Sequence, residues 1–208
     1  MRTPDLNWLK DSRVFQVNRL QAYSDHIYTI GKDKQPSSFS LNGTWKFNMS
    51  KNYDSTFKFF YNTEFNDSNW DDIQVPGHIQ LQGFDQPHYT DVTYPWDGKD
   101  YVKPGQVDMD RNKVFQYRKS FDLPQDFIND RLILSFEGVE SNVYIWLNGK
   151  FIGYSEDSFT PSRFDITKYV QEKDNILCVR IFEKCTGTWL EDQDMWRFTG
   201  IFENGYKH

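Results

Sequence analysis

From Leu41 onward the chain alternates short apolar runs with turn signals at close intervals, which predicts an all-β sandwich or barrel. Leu41-Asn-Gly-Thr-Trp-Lys-Phe reads as a turn entering a strand, and Ile73–Val75 as a short strand stopped by Pro76-Gly77. Over Val114–Phe121 the side chains divide between two faces: Val114, Gln116 and Arg118 on one, Phe115, Tyr117 and Lys119 on the other. Leu132–Phe136 is a further strand. Val143–Leu147 and Phe151–Tyr154 flank Asn148-Gly149, the strongest short hairpin signal a sequence offers. Asn175–Phe182 alternates Ile176, Cys178 and Arg180 against Leu177, Val179 and Ile181. Helical periodicity is confined to a single turn near Ile166–Val170.

Two segments lack this texture. Residues 1–40 show no clean period and read as an extended, draped arm ahead of a sandwich over 41–208. Between the predicted strands, Gly77–Asn112 forms a long irregular insert with three prolines and four glycines. A loop of that length in a compact domain is usually functional or bound to a partner.

Composition narrows the function classes. The 208 residues suffice for one large β domain. Aromatic residues make up 18% of the chain, suited equally to strands and to sugar platforms. The net charge is −6 and no Lys/Arg block stands out, so neither nucleic acid nor an anionic membrane is an expected partner. No apolar run approaches the ~20 residues of a membrane span. The polar N-terminus carries no signal-peptide pattern, which predicts a cytoplasmic location. Cys178 and Cys185 are then expected as reduced thiols. The sequons at Asn42, Asn48 and Asn66 carry no weight without secretion.

Four motifs add a family resemblance. They are Phe15-Gln-Val-Asn-Arg-Leu, the stretch Val75-Pro-Gly-His-Ile-Gln-Leu-Gln-Gly-Phe-Asp continuing to Tyr89–Trp96, the run Tyr144–Asp165, and Leu190-Glu-Asp-Gln-Asp-Met-Trp-Arg-Phe-Thr-Gly-Ile-Phe202. Together they resemble the N-terminal region of family-two glycoside hydrolases of the LacZ type, particularly large-subunit β-galactosidases. The resemblance spans about Trp8 to Phe202. It implies a jelly-roll, galactose-binding-like sandwich packed on a (β/α)8 barrel that carries the two glutamates of a retaining mechanism. This chain has too few residues left for such a barrel, which needs at least ~200 of its own. The implied role is therefore a non-catalytic sugar-binding domain of a β-galactosidase. The alternatives are a complementation fragment docking on a separate barrel chain or second subunit, and a weak stand-alone carbohydrate-binding module.

The resemblance also implies two substrate contacts. Asp194, before Met195-Trp196, would contact a galactose hydroxyl and help ligate sodium, since a carboxylate is a hard oxygen ligand. Asp91 stands where the family usually has Asn; it keeps the acceptor, loses the donor and adds charge. An exposed acidic turn is the bland reading of both. Magnesium is expected only in the full-length enzyme. Trp96, Trp189 and Trp196 read as core or interdomain contacts before sugar platforms. His26, His78, His88 and His208 are scattered, without metal-ligand spacing. Glu156 and Asp157, adjacent in the chain, point apart and make a poor acid/base pair. Asp192-x-Asp194 matches nucleotide-sugar transferases only weakly. Glu203–His208 departs from the family pattern where a closing strand is expected, which predicts a missing last strand and an exposed sheet edge open to self-association.

Overall fold

The computed structural model describes residues 3–22, 38–89, 91–94, 96, 101–191 and 194–202. The strands are β1 (Gln16–Val17), β2 (Gly43–Ser50), β3 (Asp71–Val75), β4 (His88–Tyr89), β5 (Val114–Phe121), β6 (Ile133–Phe136) and β7 (Val139–Glu140). They continue with β8 (Asn142–Leu147), β9 (Lys150–Glu156), β10 (Ser162–Asp165), β11 (Asn175–Phe182), β12 (Trp196–Arg197) and β13 (Gly200–Ile201). Seven of them form one antiparallel sheet in the order β1-β9-β8-β11-β5-β2-β3. The pairs β6–β10 and β7–β13 lie over one face of it. This is the all-β, jelly-roll-type sandwich expected from the sequence.

Local chemistry explains the strand ends. Asn148 and Gly149 both have positive φ, 51° and 76°, as a two-residue hairpin turn requires, and they join β8 to β9. The Asn148 side chain accepts from the Ile176 amide and donates to the Tyr169 carbonyl, tying the hairpin to the neighbouring connection. The turn at Ile166–Val170 forms as one turn, with the Val170 amide donating to the Ile166 carbonyl at 3.2 Å, and extends no further.

Alternation alone would leave one sheet face wet, yet both faces are covered. Phe47, Phe115, Tyr117, Ile145, Val179 and Ile181 meet Leu134, Phe136, Phe164 and Ile201 of the second layer. On the opposite face, Val114, Trp146, Tyr144 and Cys178 pack beneath Leu9, Phe60 and Trp70. Each such side chain contributes roughly 1.5–3 kcal/mol when fully buried. Polar residues on this second face are therefore buried too. Arg118 pairs with Asp67 at 2.7 Å. Arg180 lies over the rings of Phe60, Trp146 and Tyr53, 4.9–5.2 Å from their centroids, and burial pulls its pKa down.

The first forty residues supply part of that cover. A short 3-10 turn, Leu6–Lys10, sets Trp8 against Tyr144 and buries Leu9. β1 then adds to the edge of β9, with Gln16 opposite Ser155 and Val17 opposite Tyr154. Residues 23–37, including His26, lie outside the described residues. At the other sheet edge, the Gln82 side chain accepts from the Gln74 amide at 2.8 Å and donates to its carbonyl at 2.9 Å. A side-chain amide thus occupies the edge of β3 where another strand would pair.

The last described strand, β13, is flanked on both sides: Phe202 donates to the Gly138 carbonyl and Gly77 to that of Ile201. The expected missing strand falls at residues 203–208, outside the described residues. Cys178 and Cys185 are free and buried, as expected for reduced thiols. Among the described residues no helix is long and apolar enough to cross a membrane.

Candidate functional site

The insert and the motif near the C-terminal end meet in a two-stranded ribbon. β12 pairs antiparallel with β4, setting Trp196 opposite Tyr89 and Arg197 opposite His88. Beyond the ribbon the Asp194 amide donates to the Asp91 carbonyl at 2.9 Å. Both aspartates adopt positive φ, 53° and 51°, which Asp tolerates better than most residues. The two candidate residues, more than 100 positions apart in the chain, thus sit at one end of one ribbon.

Their side chains converge as well. The Tyr89 hydroxyl donates to Asp194 Oδ1 at 2.5 Å. The Asp91 carboxyl lies near enough to act on both groups. The Tyr89 bond holds the Asp194 pKa below the ordinary carboxylate value, with the Asp91 contact acting in the same direction. Reciprocally, Asp194 pushes the Tyr89 phenol up to about 12. The arrangement can accept hydroxyl donors or a hard cation.

The tryptophans divide. Trp96 and Trp189 are buried with Val102 and Val107 in a small core of the insert, their rings 5.2 Å apart. Trp189 Nε1 donates to the Gln106 carbonyl at 2.7 Å. Trp196 instead stays 55% exposed, its ring tilted 35° against that of Tyr89 at a centroid distance of 5.3 Å. Val92, Leu190 and Met195 are also exposed along this segment pair. Glu156 and Asp157 do point apart. Glu156 is buried and Asp157 faces Arg19 across 4.0 Å. Among the described residues no group of three or more His, Cys, Asp or Glu side chains could hold a metal ion. Tyr89 is the member that sequence reasoning missed. Its signal was its position two residues before Asp91, which becomes meaningful only with the β4–β12 pairing.

Comparison with known proteins gives the wider setting. The chain is 50% identical over 208 residues to a β-galactosidase of Halalkalibacterium halodurans, covering 97% of this chain and 20% of that protein. It is 46% identical to the β-galactosidase large subunit of Leuconostoc lactis, covering 96% of this chain and 34% of the subunit. The chain thus spans about a fifth to a third of these relatives. Among solved structures, Bacteroides uniformis β-glucuronidase 2 superposes on 82% of the chain with a TM-score of 0.60 at 22% identity. A β-glycosidase from Bacteroides vulgatus gives a TM-score of 0.57 over 83%. At such identity the likeness shows a shared fold. The family model described as glycosyl hydrolases family 2, sugar binding domain, matches residues 39–206, from the turn before β2 to beyond β13, and the chain belongs to that family.

Proposed function

We propose that this chain supplies the sugar-facing rim of a β-galactosidase, in which Asp194 and Asp91 accept hydroxyl hydrogen bonds from a terminal β-galactoside. The observation that carries this reading is the convergence of the two aspartates with Tyr89 at the end of the β4–β12 ribbon. Negative charge concentrated on an exposed rim suits a polyhydroxylated, uncharged ligand better than an anion. The acid/base and nucleophile glutamates of retaining hydrolysis would come from a barrel, on the same polypeptide or on a second subunit. The exposed side chains of Tyr89, Val92, Leu190, Met195 and Trp196 form an apolar margin suited to such a partner. Self-association through the sheet edge has less to work with at β3, where Gln82 occupies the backbone groups of Gln74. Two buried, unpaired thiols fit a reducing compartment such as the cytoplasm.

A sodium ion at Asp194 fits the donor set in chemistry, because two neighbouring carboxylates are hard oxygen ligands. Bound there, the ion would supply a fixed positive charge against which sugar hydroxyls orient. The remaining ligands would have to come from elsewhere. For magnesium, no donor set of three or more acidic, histidine or cysteine side chains occurs among the described residues.

The test replaces the matching N-terminal segment of the Halalkalibacterium relative with this chain and measures o-nitrophenyl-galactoside hydrolysis. The chain alone is expected to give no turnover, and the chimera to be active. Asp194→Ala is expected to lower kcat/KM about tenfold or more, as for loss of a hydrogen bond to a charged group. Turnover by the chain alone, or an active chimera indifferent to Asp194→Ala, overturns the reading. A stand-alone sugar-binding module is favoured only by the exposed Trp196–Tyr89 ring pair beside the two carboxylates. Calorimetric titration of the chain with galactose and lactose, with saturation lost in Asp194→Ala, would support that reading instead.

A further inference from the structure

The end of β9 and the segment 185–191 hold each other through two carboxylates. Glu156, the last residue of β9, is 4% exposed. Its Oε1 accepts from the Tyr154 hydroxyl at 2.5 Å, and its Oε2 accepts from the Thr186 hydroxyl at 2.9 Å and the Gly187 amide at 3.0 Å. Among the described residues no cationic side chain pairs with it, so neutral donors alone compensate its burial. The second carboxylate runs the other way. Glu191 Oε1 accepts from the Ser158 amide at 3.0 Å, and Oε2 accepts from the Ser158 hydroxyl at 2.6 Å.

Gly187 lies between the two. A Cβ there would stand 3.3 Å from Glu156 Oε2 and 3.9 Å from Glu191 Cδ. The segment also leads directly to the ribbon. Trp189 anchors it to the insert core, and Arg197 of β12 donates to the Glu191 carbonyl at 3.3 Å.

We propose that Glu156 and Glu191 are positioning residues that latch segment 185–191 onto the end of β9 and thereby hold Asp194 against Asp91 and Tyr89. That Asp194 then serves a sugar rests on the function proposed above; the latch itself does not. The physical reason is leverage. The β4–β12 ribbon has only two residue pairs, too few to fix its own placement, so it is held at both roots: by the Ile79–Thr199 and Gly77–Ile201 backbone bonds on the β13 side, and by the Glu156 and Glu191 contacts on the other.

The experiment uses the chain with Glu156→Gln, Glu191→Gln, Thr186→Val and Thr186→Ser, followed by amide-resolved hydrogen–deuterium exchange read over 185–191 and, separately, at the Asp194 amide that donates to the Asp91 carbonyl. Glu156→Gln keeps the side chain's size but leaves one acceptor oxygen where Tyr154, Thr186 and Gly187 had two, and removes the charge that strengthens those bonds. It is expected to speed exchange across 185–191 about tenfold or more while β5 and β11 keep their protection. With Asp194 released, its amide loses the bond to the Asp91 carbonyl and should exchange faster than in the parent. Thr186→Ser should behave as the parent, and Thr186→Val as Glu156→Gln. Should the buried Glu156→Gln variant fail to fold, Glu191→Gln carries the same two readouts from nearer the surface.

Unchanged exchange over 185–191, loosening spread evenly across the sheet, or an Asp194 amide that exchanges no faster in the variants overturns the proposal. The chimera assay is independent: if its activity ignores Asp194 while these readouts shift as expected, the sugar reading fails and the latch stands.

Discussion

The seven-stranded sheet and the β4–β12 ribbon are built on opposite principles. The sheet has apolar cover on both faces, and β5 and β11 pair over eight residues each. The ribbon has two residue pairs, exposed rings and carboxylates near enough to act on one another. In the sheet, stability comes from burial summed over many side chains. At the ribbon, charges and aromatics stay exposed and contribute little burial. The contrast teaches that the candidate site contributes little to its own stability and depends on a frame that lacks its chemistry.

The largest effects should fall in the frame. Phe115→Ala, at a fully buried ring between Phe47 and the second layer, is expected to cost about 3–5 kcal/mol in denaturant unfolding. Next comes Gly153→Ala. The added Cβ would meet Phe164 Cε1 at 2.5 Å and the Val17 carbonyl at 2.7 Å, crowding β9 against both β10 and β1. Overpacking of that kind costs about 1–3 kcal/mol, and thermal melting would measure it.

At the ribbon the expectation reverses. Asp194→Asn should leave stability within about 0.5 kcal/mol of the parent, since the side chain is exposed. It should nevertheless lower kcat/KM in the chimera and return Tyr89 ionisation toward 10. A large stability loss on Asp194→Asn would break the division between frame and site.

The smallest effect concerns pH. Burial raises the Glu156 pKa above its unfolded value near 4.5, partly offset by its donors. A carboxyl with a raised folded-state pKa favours folding below the unfolded pKa and loses that contribution as pH rises through the folded one. The melting-temperature difference between the parent and Glu156→Gln should therefore be most favourable to the parent near pH 4 and narrow as pH rises. A difference that widens with pH would show that the donors outweigh desolvation.

Much of the frame was legible in the residues. Val114–Phe121 and Asn175–Phe182 alternate without interruption, and both appear with those boundaries. Asn148-Gly149 announced its hairpin because few residue pairs accept two positive φ values. What periodicity could not convey is that Gln116, Arg118 and Arg180 would be buried. That depends on residues 53–70 and the N-terminal turn crossing the second face, and neither segment has a period. The insert posed the same difficulty, since Trp96 and Trp189 form a small core only once they meet.

The sequence by itself determined the long strands β2, β3, β5, β6, β8, β9 and β11, the tight hairpin and, through four motifs, the family and two candidate aspartates, but not the short β1, β4, β7, β10, β12 and β13. Local pattern suffices for the former because strand pleat and turn geometry act over a few neighbouring residues. Only the tertiary structure decided that Asp91 and Asp194 share one site with Tyr89, and that Glu156 faces segment 185–191 instead of an acid/base partner. Those contacts join residues from 31 to 105 positions apart. Chain entropy opposes such long-range meetings, and they form only when burial elsewhere has already brought the segments together.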